Sequence, residues 1–205
     1  MFNALTVCLV EHGLTPSALA TRMTYFGAPE SLQSAVAAGL LGLGQTFVGS
    51  MEGAARYVQE ADRSTDSRDL AEALVNRFVG AGVAVPGIGH PIHRPVDPRA
   101  EKLFALAHDL GFDGYETRLV MDVSAIATRS LGKPLPVNVT GAIGAIASAL
   151  GIDWRATRGI GVMARAVGLV SHVLEEAVNP ISAQLWRVID ETASSHLAPP
   201  SGEAT

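Results

Sequence analysis

The segment Thr140–Leu150 (TGAIGAIASAL) carries no charge and offers no face that suits water. A helix that is apolar all round must be covered all round, so this segment belongs in a core. A second such segment is Ser34–Gly44 (SAVAAGLLGLG). There Ala38, Gly39 and Gly42 would let another helix pack very close, and a subunit contact is expected. The rest of the chain has helical periodicity and no convincing strand alternation. Leu103, Leu106, Ala107 and Leu110 recur at helical spacing, with Asp97 as N-cap, Pro98 at the first position and Gly111 at the close. Leu119, Val123 and Ile126 mark the next helix, which ends near Gly132-Lys133-Pro134. Further helices are predicted over roughly 3–11, 16–26, 50–61, 66–80, 159–178 and 180–193. Gly49 and Gly151 are candidate joints between two lobes. The tail from Ser195, with Pro199-Pro200-Ser201-Gly202, is expected to be disordered. The fold class is all-α.

Composition narrows the function classes. Of 205 residues, 48% are apolar and 17% charged, which implies buried surface beyond one core, most simply a large subunit interface. The formal net charge of -5 gives no electrostatic case for nucleic acid. The single cysteine, Cys8, excludes an internal disulfide framework and suits a reducing cytoplasm. Residues 1–10 lack a basic flank, and Glu11 and His12 follow at once, so a helix of the fold is expected there rather than a targeting signal. No apolar run reaches the ~20 residues of a membrane span.

The residues that could carry chemistry gather in Gly87–Ala100 (GIGHPIHRPVDPRA), a loop that leads into a helix. Gly87 and Gly89 let a backbone approach a ligand closely, and three prolines hold the loop in one shape. His90 can be a loop histidine bonded to backbone or, with arginines beside it, a group that polarises a carbonyl. His93 follows three residues on, but Pro91 and Pro95 spoil the geometry of a metal-binding pair, and no Cys or carboxylate pair completes a ligand set. No metal is expected. Arg99 stands in the first turn of a helix, where the macrodipole disfavours a cation unless an anion also sits there. The alternative is a surface salt bridge with Asp97 or Glu101. Arg94 divides evenly between the two readings. Arg165 is the only cation within the apolar run Gly161–Leu174. A buried guanidinium needs a partner: Asp153, Glu175 or a substrate carboxylate held in a bidentate fork. His12 suits a helix end, and Lys133 and Asn138 lie where they could bond a ligand. His172 and Cys8 are read as structural.

In this order these residues resemble the citrate synthase superfamily, across nearly the whole chain. The likeness is strongest to its short lyase-type members, such as the citryl-CoA lyase module of ATP-citrate lyase. Gly89-His90-Pro91 with Asp97-Pro98-Arg99 is similar to the family's Gly-His-x…Asp-Pro-Arg signature. Glu11-His12-Gly13 is similar to Asp-His-Glu or Asp-His-Gly, and Ala164-Arg165-Ala166-Val167-Gly168 to the Ala-Arg-x-x-Gly helix. The resemblance implies a helical dimer with the active site between a large and a small domain. Residues 1–50 and 151–193 would be large-domain-like helices with the dimer contact, 51–150 the small domain, and 194–205 a tail. It implies that His90 bonds the oxygen at the carbon where the bond is made or broken, drawing the hydroxyl proton in the cleavage direction. His12, Arg99 and Arg165 would hold carboxylates. Gly87, Gly89, Arg94, Lys133 and Asn138 would hold coenzyme A, present as acyl-CoA substrate.

Three departures stand out. Gly44-Gln45-Thr46-Phe47-Val48-Gly49 replaces Gly-Pro-x-His-Gly, so Phe47 stands for the enol-stabilising histidine, as in the lyase-type branch. Thr140 takes the catalytic aspartate's place in Asn-Val-Asp; a threonine hydroxyl is no base unless activated. Asn179 falls where the family has an arginine that reaches the neighbouring subunit's substrate. The resemblance therefore leaves two readings. One is a carbon–carbon lyase or transferase acting beside an acyl-CoA thioester, with Asp122 or Asp153 as possible replacements for the base. The other is a binding or regulatory homologue that keeps the anion pocket without the base. A partial chain, completed by a further segment or partner, is a third possibility.

Overall fold

The computed structural model describes residues 1–197 and is helical throughout, with ten α-helices and one isolated antiparallel bridge, Ile88 to Val137, among the described residues. In chain order the helices are α1 (Phe2–Val7), α2 (Pro16–Gly27), α3 (Leu32–Leu41), α4 (Gln45–Gln59), α5 (Ser67–Gly80), α6 (Pro98–Asp109), α7 (Tyr115–Leu131), α8 (Val139–Ala149), α9 (Trp154–Val178) and α10 (Ser182–Ser194). A 3-10 turn, Ser195–Leu197, follows α10. Residues 195–197, expected in a disordered tail, form this turn, and the rest of that expectation, 198–205, lies outside the described residues. Two packed units divide the chain: one is Met1–Glu11 with Leu43–Arg165, the other His12–Gly42 with the chain from Ala166 onward.

In the first unit α8 is the central rod, as its all-round apolarity requires. Every residue from Gly141 to Ser148 is buried, and α4, α6 and α7 pack around it. The helices α4 and α8 approach at a glycine: a Cβ on Gly144 would stand 2.8 Å from Met51 O, Ala55 N and Ala54 Cβ. Two of those atoms are backbone and cannot turn aside. Gly144→Val should therefore lower stability by about 1–3 kcal/mol or more, the range for overpacking, read as a fall in Tm. On the far side of α7 lies α5, with Ala71, Val75, Leu119, Val120 and Val123 in the shared core. The first turns of α9 run along α4. Trp154 N donates to Gln59 Oε1 (3.0 Å), Arg158 pairs with Glu52 (2.7 Å), and Gly161 faces Met51 and Val48.

In the second unit α2 packs on α3 and α10 on α2. Gly39 sits so tightly on α2 that a Cβ there would lie 2.8 Å from Ser17 O, and Ser17 Oγ donates to Gly39 O (2.7 Å). The small residues of 34–44, expected at a subunit contact, thus serve a contact within the chain. Leu41, 88% exposed, is left on the outer face. A buried ionic group fixes α2 to α9. Arg22 donates to Glu176 Oε2 (3.0 Å) and His172 Nδ1 (3.2 Å) and pairs with Glu175. Glu176 Oε1 in turn accepts from Ile181 N (3.0 Å) and Ser182 N (2.8 Å), capping α10.

Several boundaries differ from the sequence reading. The expected division at 50/51 falls inside α4, because Gly44 caps the helix in an extended conformation and Gln45 opens it. Gly49 is no joint. A Cβ there would stand 2.4 Å from Gln45 Cδ, so the glycine makes room for a side chain that accepts from Arg158 Nη2 (2.7 Å). Gly151, at φ +76°, does turn the chain between α8 and α9. The second expected division, at 150/151, lies further on, within α9 after Arg165, since α9 starts at Trp154 and its first turns belong with α4. The first helix ends at Val7, short of the expected 11.

Candidate functional site

The His90 loop is fixed from both ends. Gly87 (φ +80°) and Gly89 (φ +85°) are left-handed, where a side chain is strained. At Gly87 a Cβ would also collide with Gly141 Cα at 2.5 Å. The loop is stitched to the segment before α8: Gly89 N donates to Pro136 O (2.7 Å) and Asn138 N to Gly87 O (3.0 Å). Asn138 caps α8, its Oδ1 accepting from Thr140 N (3.0 Å) and Gly141 N (3.1 Å), while its Nδ2 donates to Gly89 O (2.7 Å). For Gly87 and Asn138, where the resemblance implies coenzyme binding, the structure shows internal contacts. Gly87 is buried against α8, and both ends of the Asn138 amide are engaged.

His90 directly follows the two anchored glycines and stands beside Arg99 of α6. Its Nδ1 accepts from Ile92 N (3.1 Å) and His93 N (3.0 Å). A neutral imidazole has one acceptor nitrogen, so Nε2 carries the hydrogen. That nitrogen stands 3.3 Å from Arg99 Nη2. Both are donors, and side by side they suit one oxygen acceptor or two neighbouring ones. His90 is thereby built to donate. The expected role of drawing a proton from a hydroxyl is corrected, because two amide hydrogens occupy the only lone pair the neutral ring has.

Asp97 holds this pair in place. Its carboxylate is wholly buried and accepts from Arg99 N (3.1 Å), Arg99 Nε (3.0 Å), Arg99 Nη2 (2.8 Å) and Val139 N (2.9 Å). Burial pushes the carboxyl up, but the bonds from Arg99 and Val139 and the guanidinium charge outweigh it and hold it below the ordinary carboxylate range. One side chain thus caps α6, ties it to the start of α8 and orients the guanidinium. The sequence reading names Asp97 as the cap and as one of two surface salt-bridge partners for Arg99; the bridge forms, but with a wholly buried carboxylate. Cys8, read as structural, lies within electrostatic reach of Arg99 and Asp97. Burial, then Asp97, raises its thiol pKa against the pull of Arg99.

Arg165 stands on α9 and is 8% exposed, and its Nη1 is buried without a hydrogen-bond partner. Burial lowers its pKa against the opposing charge of Glu11. Neither structural partner expected from sequence serves it: Asp153 binds Arg155 (2.8 and 2.5 Å) and Glu175 binds Arg22. A buried guanidinium nitrogen with no acceptor is costly and fits a site for an anion. Arg94 is exposed and donates through Nε to His90 O (2.8 Å). Lys133 is exposed beyond the C-cap Gly132. His12 belongs to the second unit. The His90 and His93 rings stack at 4.5 Å between centroids.

Thr140 Oγ1 lies 2.6 Å from Asn138 Oδ1 and 3.1 Å from Ser50 Oγ. Its one hydroxyl hydrogen has two acceptors, Asn138 Oδ1 and Ser50 Oγ, and the shorter contact is to Asn138 Oδ1, which can only accept. The carboxylates suggested in place of the missing aspartate are engaged elsewhere. Asp122 accepts from Ser67 Oγ (2.6 Å). Asp153 caps α9 beside Arg155, whose bonds bring its pKa to about 2.

The all-α architecture, a glycine-anchored loop leading to a buried carboxylate, and a buried arginine with a nitrogen that lacks an acceptor define a helical protein with a candidate acid-binding site. The sequence model described as "Citrate synthase, C-terminal domain" matches residues 1–188. This chain belongs to that family. Its structure is similar to that of citryl-CoA lyase from Hydrogenobacter thermophilus: 35% identity, TM-score 0.81, covering 99% of this chain and 76% of that one. It is 28% identical over 186 residues to ATP-citrate synthase beta chain protein 1 of Oryza sativa subsp. japonica, covering 81% of this chain. It is also 29% identical over 130 residues to "Putative citrate synthase 2" of Mycobacterium tuberculosis (strain ATCC 25618 / H37Rv), covering 61% of this chain. The matches span 29% and 32% of those two relatives.

Proposed function

We propose that this chain cleaves citryl-CoA, or a closely related hydroxyacyl-CoA, to acetyl-CoA and a 2-oxo acid such as oxaloacetate. The observation that carries the reading is the donor pair His90 Nε2–H and Arg99 Nη2, 3.3 Å apart and braced by Asp97. A 2-oxo acid presents a carbonyl oxygen next to a carboxylate, which matches two neighbouring donors of which one is cationic. Arg165 supplies a further anion site. The tertiary hydroxyl gives its proton to water, the C–O bond becomes a ketone as the C–C electron pair passes to the thioester enolate, and the enolate carbon takes a proton back from water. His90 and Arg99 stabilise the oxygen as its charge changes, a term worth about 10²–10³ in rate for one donor. The likeness to the Hydrogenobacter lyase supports the substrate class. A structural relative from Methanothrix soehngenii is described in complex with citrate and coenzyme A, which supports an acyl-CoA ligand.

The test is direct. Purified protein with citryl-CoA should release acetyl-CoA and oxaloacetate, and His90→Asn should lower kcat about 10²–10³-fold. A protein that binds oxaloacetate and coenzyme A by calorimetry but releases no product would establish the second reading, a binding or regulatory homologue. The committed hydroxyl of Thr140 favours that second reading specifically.

A homodimer in a reducing, cytoplasmic setting is part of the proposal. Val167, Leu174 and Val178 form one exposed stripe on α9, and Trp186 and Ile189 are exposed on α10. Such apolar surface marks an interaction face, and the family resemblance makes a second copy its partner. Leu174→Glu with Trp186→Glu should convert a dimer into a monomer in light scattering; an unchanged mass would remove this face from the interface.

A further inference from the structure

We propose that Ser50 and Thr140 are positioning residues for His90, so that position 140, which holds the proton-moving aspartate in the family, here fixes the shape of the histidine loop. The inference rests on the reading of His90 as a substrate donor. Hydrogen bonds link the two loop glycines. Gly87 N donates to Ser50 Oγ (2.8 Å), and the Thr140 hydroxyl joins Ser50 Oγ (3.1 Å) to Asn138 Oδ1 (2.6 Å), with both as its acceptors. Asn138 then closes the circuit through Nδ2 to Gly89 O (2.7 Å). The circuit starts at one glycine and ends at the other, and His90 is the next residue. Asn138 Oδ1, an acceptor-only atom, holds the Thr140 hydroxyl. Both hydroxyls are needed. Ser50→Ala leaves the Gly87 amide without its acceptor, and Thr140→Val removes the hydroxyl that joins Ser50 to Asn138.

The consequence for His90 is specific. Its Nδ1 accepts from Ile92 N and His93 N only while the loop keeps this shape. Those two bonds fix the hydrogen on Nε2, beside Arg99. Loosening the glycine anchors releases the ring to both tautomers and separates the two donors. Serine at position 50 carried no signal in the sequence, since a lone hydroxyl on an amphipathic helix reads as a surface residue.

The experiment combines nitrogen-15 NMR of the ligand-free protein with calorimetry. Wild-type His90, assigned with His90→Gln, should show a single Nε2–H tautomer. In Ser50→Ala and Thr140→Val it should show both tautomers, and exchange of the Ile92 and His93 amides should quicken about tenfold, the loss of one hydrogen bond. Oxaloacetate binding should weaken by a similar factor with coenzyme A binding unchanged, and Thr140→Ser should restore all three. Unchanged tautomer and exchange in folded Ser50→Ala and Thr140→Val would overturn the proposal, as would equal weakening of both ligands. Failure of the functional reading looks different: a wild-type His90 in the single tautomer that shifts with the variants, in a protein that binds no oxaloacetate at all.

Discussion

Asp97→Ala should lose about 2–4 kcal/mol of stability and the anion site together. The stability loss has two parts. Removing an N-cap carboxylate costs ~1 kcal/mol, and leaving the buried Val139 amide without an acceptor costs about 1–3 kcal/mol more. The binding loss follows from Arg99, which donates three hydrogen bonds to Asp97, two of them from its guanidinium. Freed from them, its guanidinium no longer stands beside His90 Nε2. Calorimetry with oxaloacetate should show the loss even at temperatures where the variant is folded. The pH dependence separates this carboxylate from an exposed one. Its folded pKa is depressed, so its stabilisation is complete above the unfolded value, near 3.9, and vanishes as pH falls through the folded value. The gap in Tm between wild type and Asp97→Ala should therefore be constant from pH 7 to about pH 5 and close in stronger acid. A gap that fails to narrow as pH falls below about 4 would mean that packing, not charge, is what Asp97 contributes.

How far the sequence reached follows from which interactions are local. Asp97 as cap, Pro98 at the first position and the closing Gly111 were legible, because a cap reports only on its own helix. The burial of α8 was legible for the same reason: composition alone decides it. Arg22 was not, because a single arginine in α2 reads as a solvated side chain. Only the arrival of His172, Glu175 and Glu176, some 150 positions later, makes it a buried ion. Arg165 was flagged correctly as a buried cation, yet the nearby charge is Glu11, from the far end of the chain, and neither of the carboxylates close in sequence. The loop glycines were read for ligand approach. What they approach is the backbone of Gly141 and the side chain of Leu135, contacts that no spacing rule encodes. Family likeness supplied the residue set around His90, but the direction of its hydrogen came from two backbone amides that only coordinates reveal.

Thr140→Asp should raise citryl-CoA cleavage, by as much as about 10²–10⁴-fold if a base is all that the site lacks. The position favours a carboxylate. Residue 140 lies in the first turn of α8, after the cap Asn138 and Val139, where a negative charge is stabilised by the helix dipole. Ser50 Oγ, 3.1 Å from the threonine hydroxyl, carries a hydrogen that it can donate to the carboxylate. One bond is lost: an aspartate cannot give a hydrogen to Asn138 Oδ1, and two acceptors 2.6 Å apart repel. The carboxylate must therefore turn away from Asn138. That rotation is what separates the two possible results. If the glycine anchors hold through Ser50 and Asn138 Nδ2, the new base works on an intact His90 loop, and kcat rises with little change in oxaloacetate affinity. If the lost bond loosens the loop, affinity falls about tenfold, the cost of one hydrogen bond, and the gain in kcat shrinks. Ser50→Ala added to Thr140→Asp should then lower affinity further, because the Gly87 amide loses its acceptor. A Thr140→Asp protein with unaltered cleavage and unaltered affinity would show that residue 140 neither moves a proton nor shapes the loop.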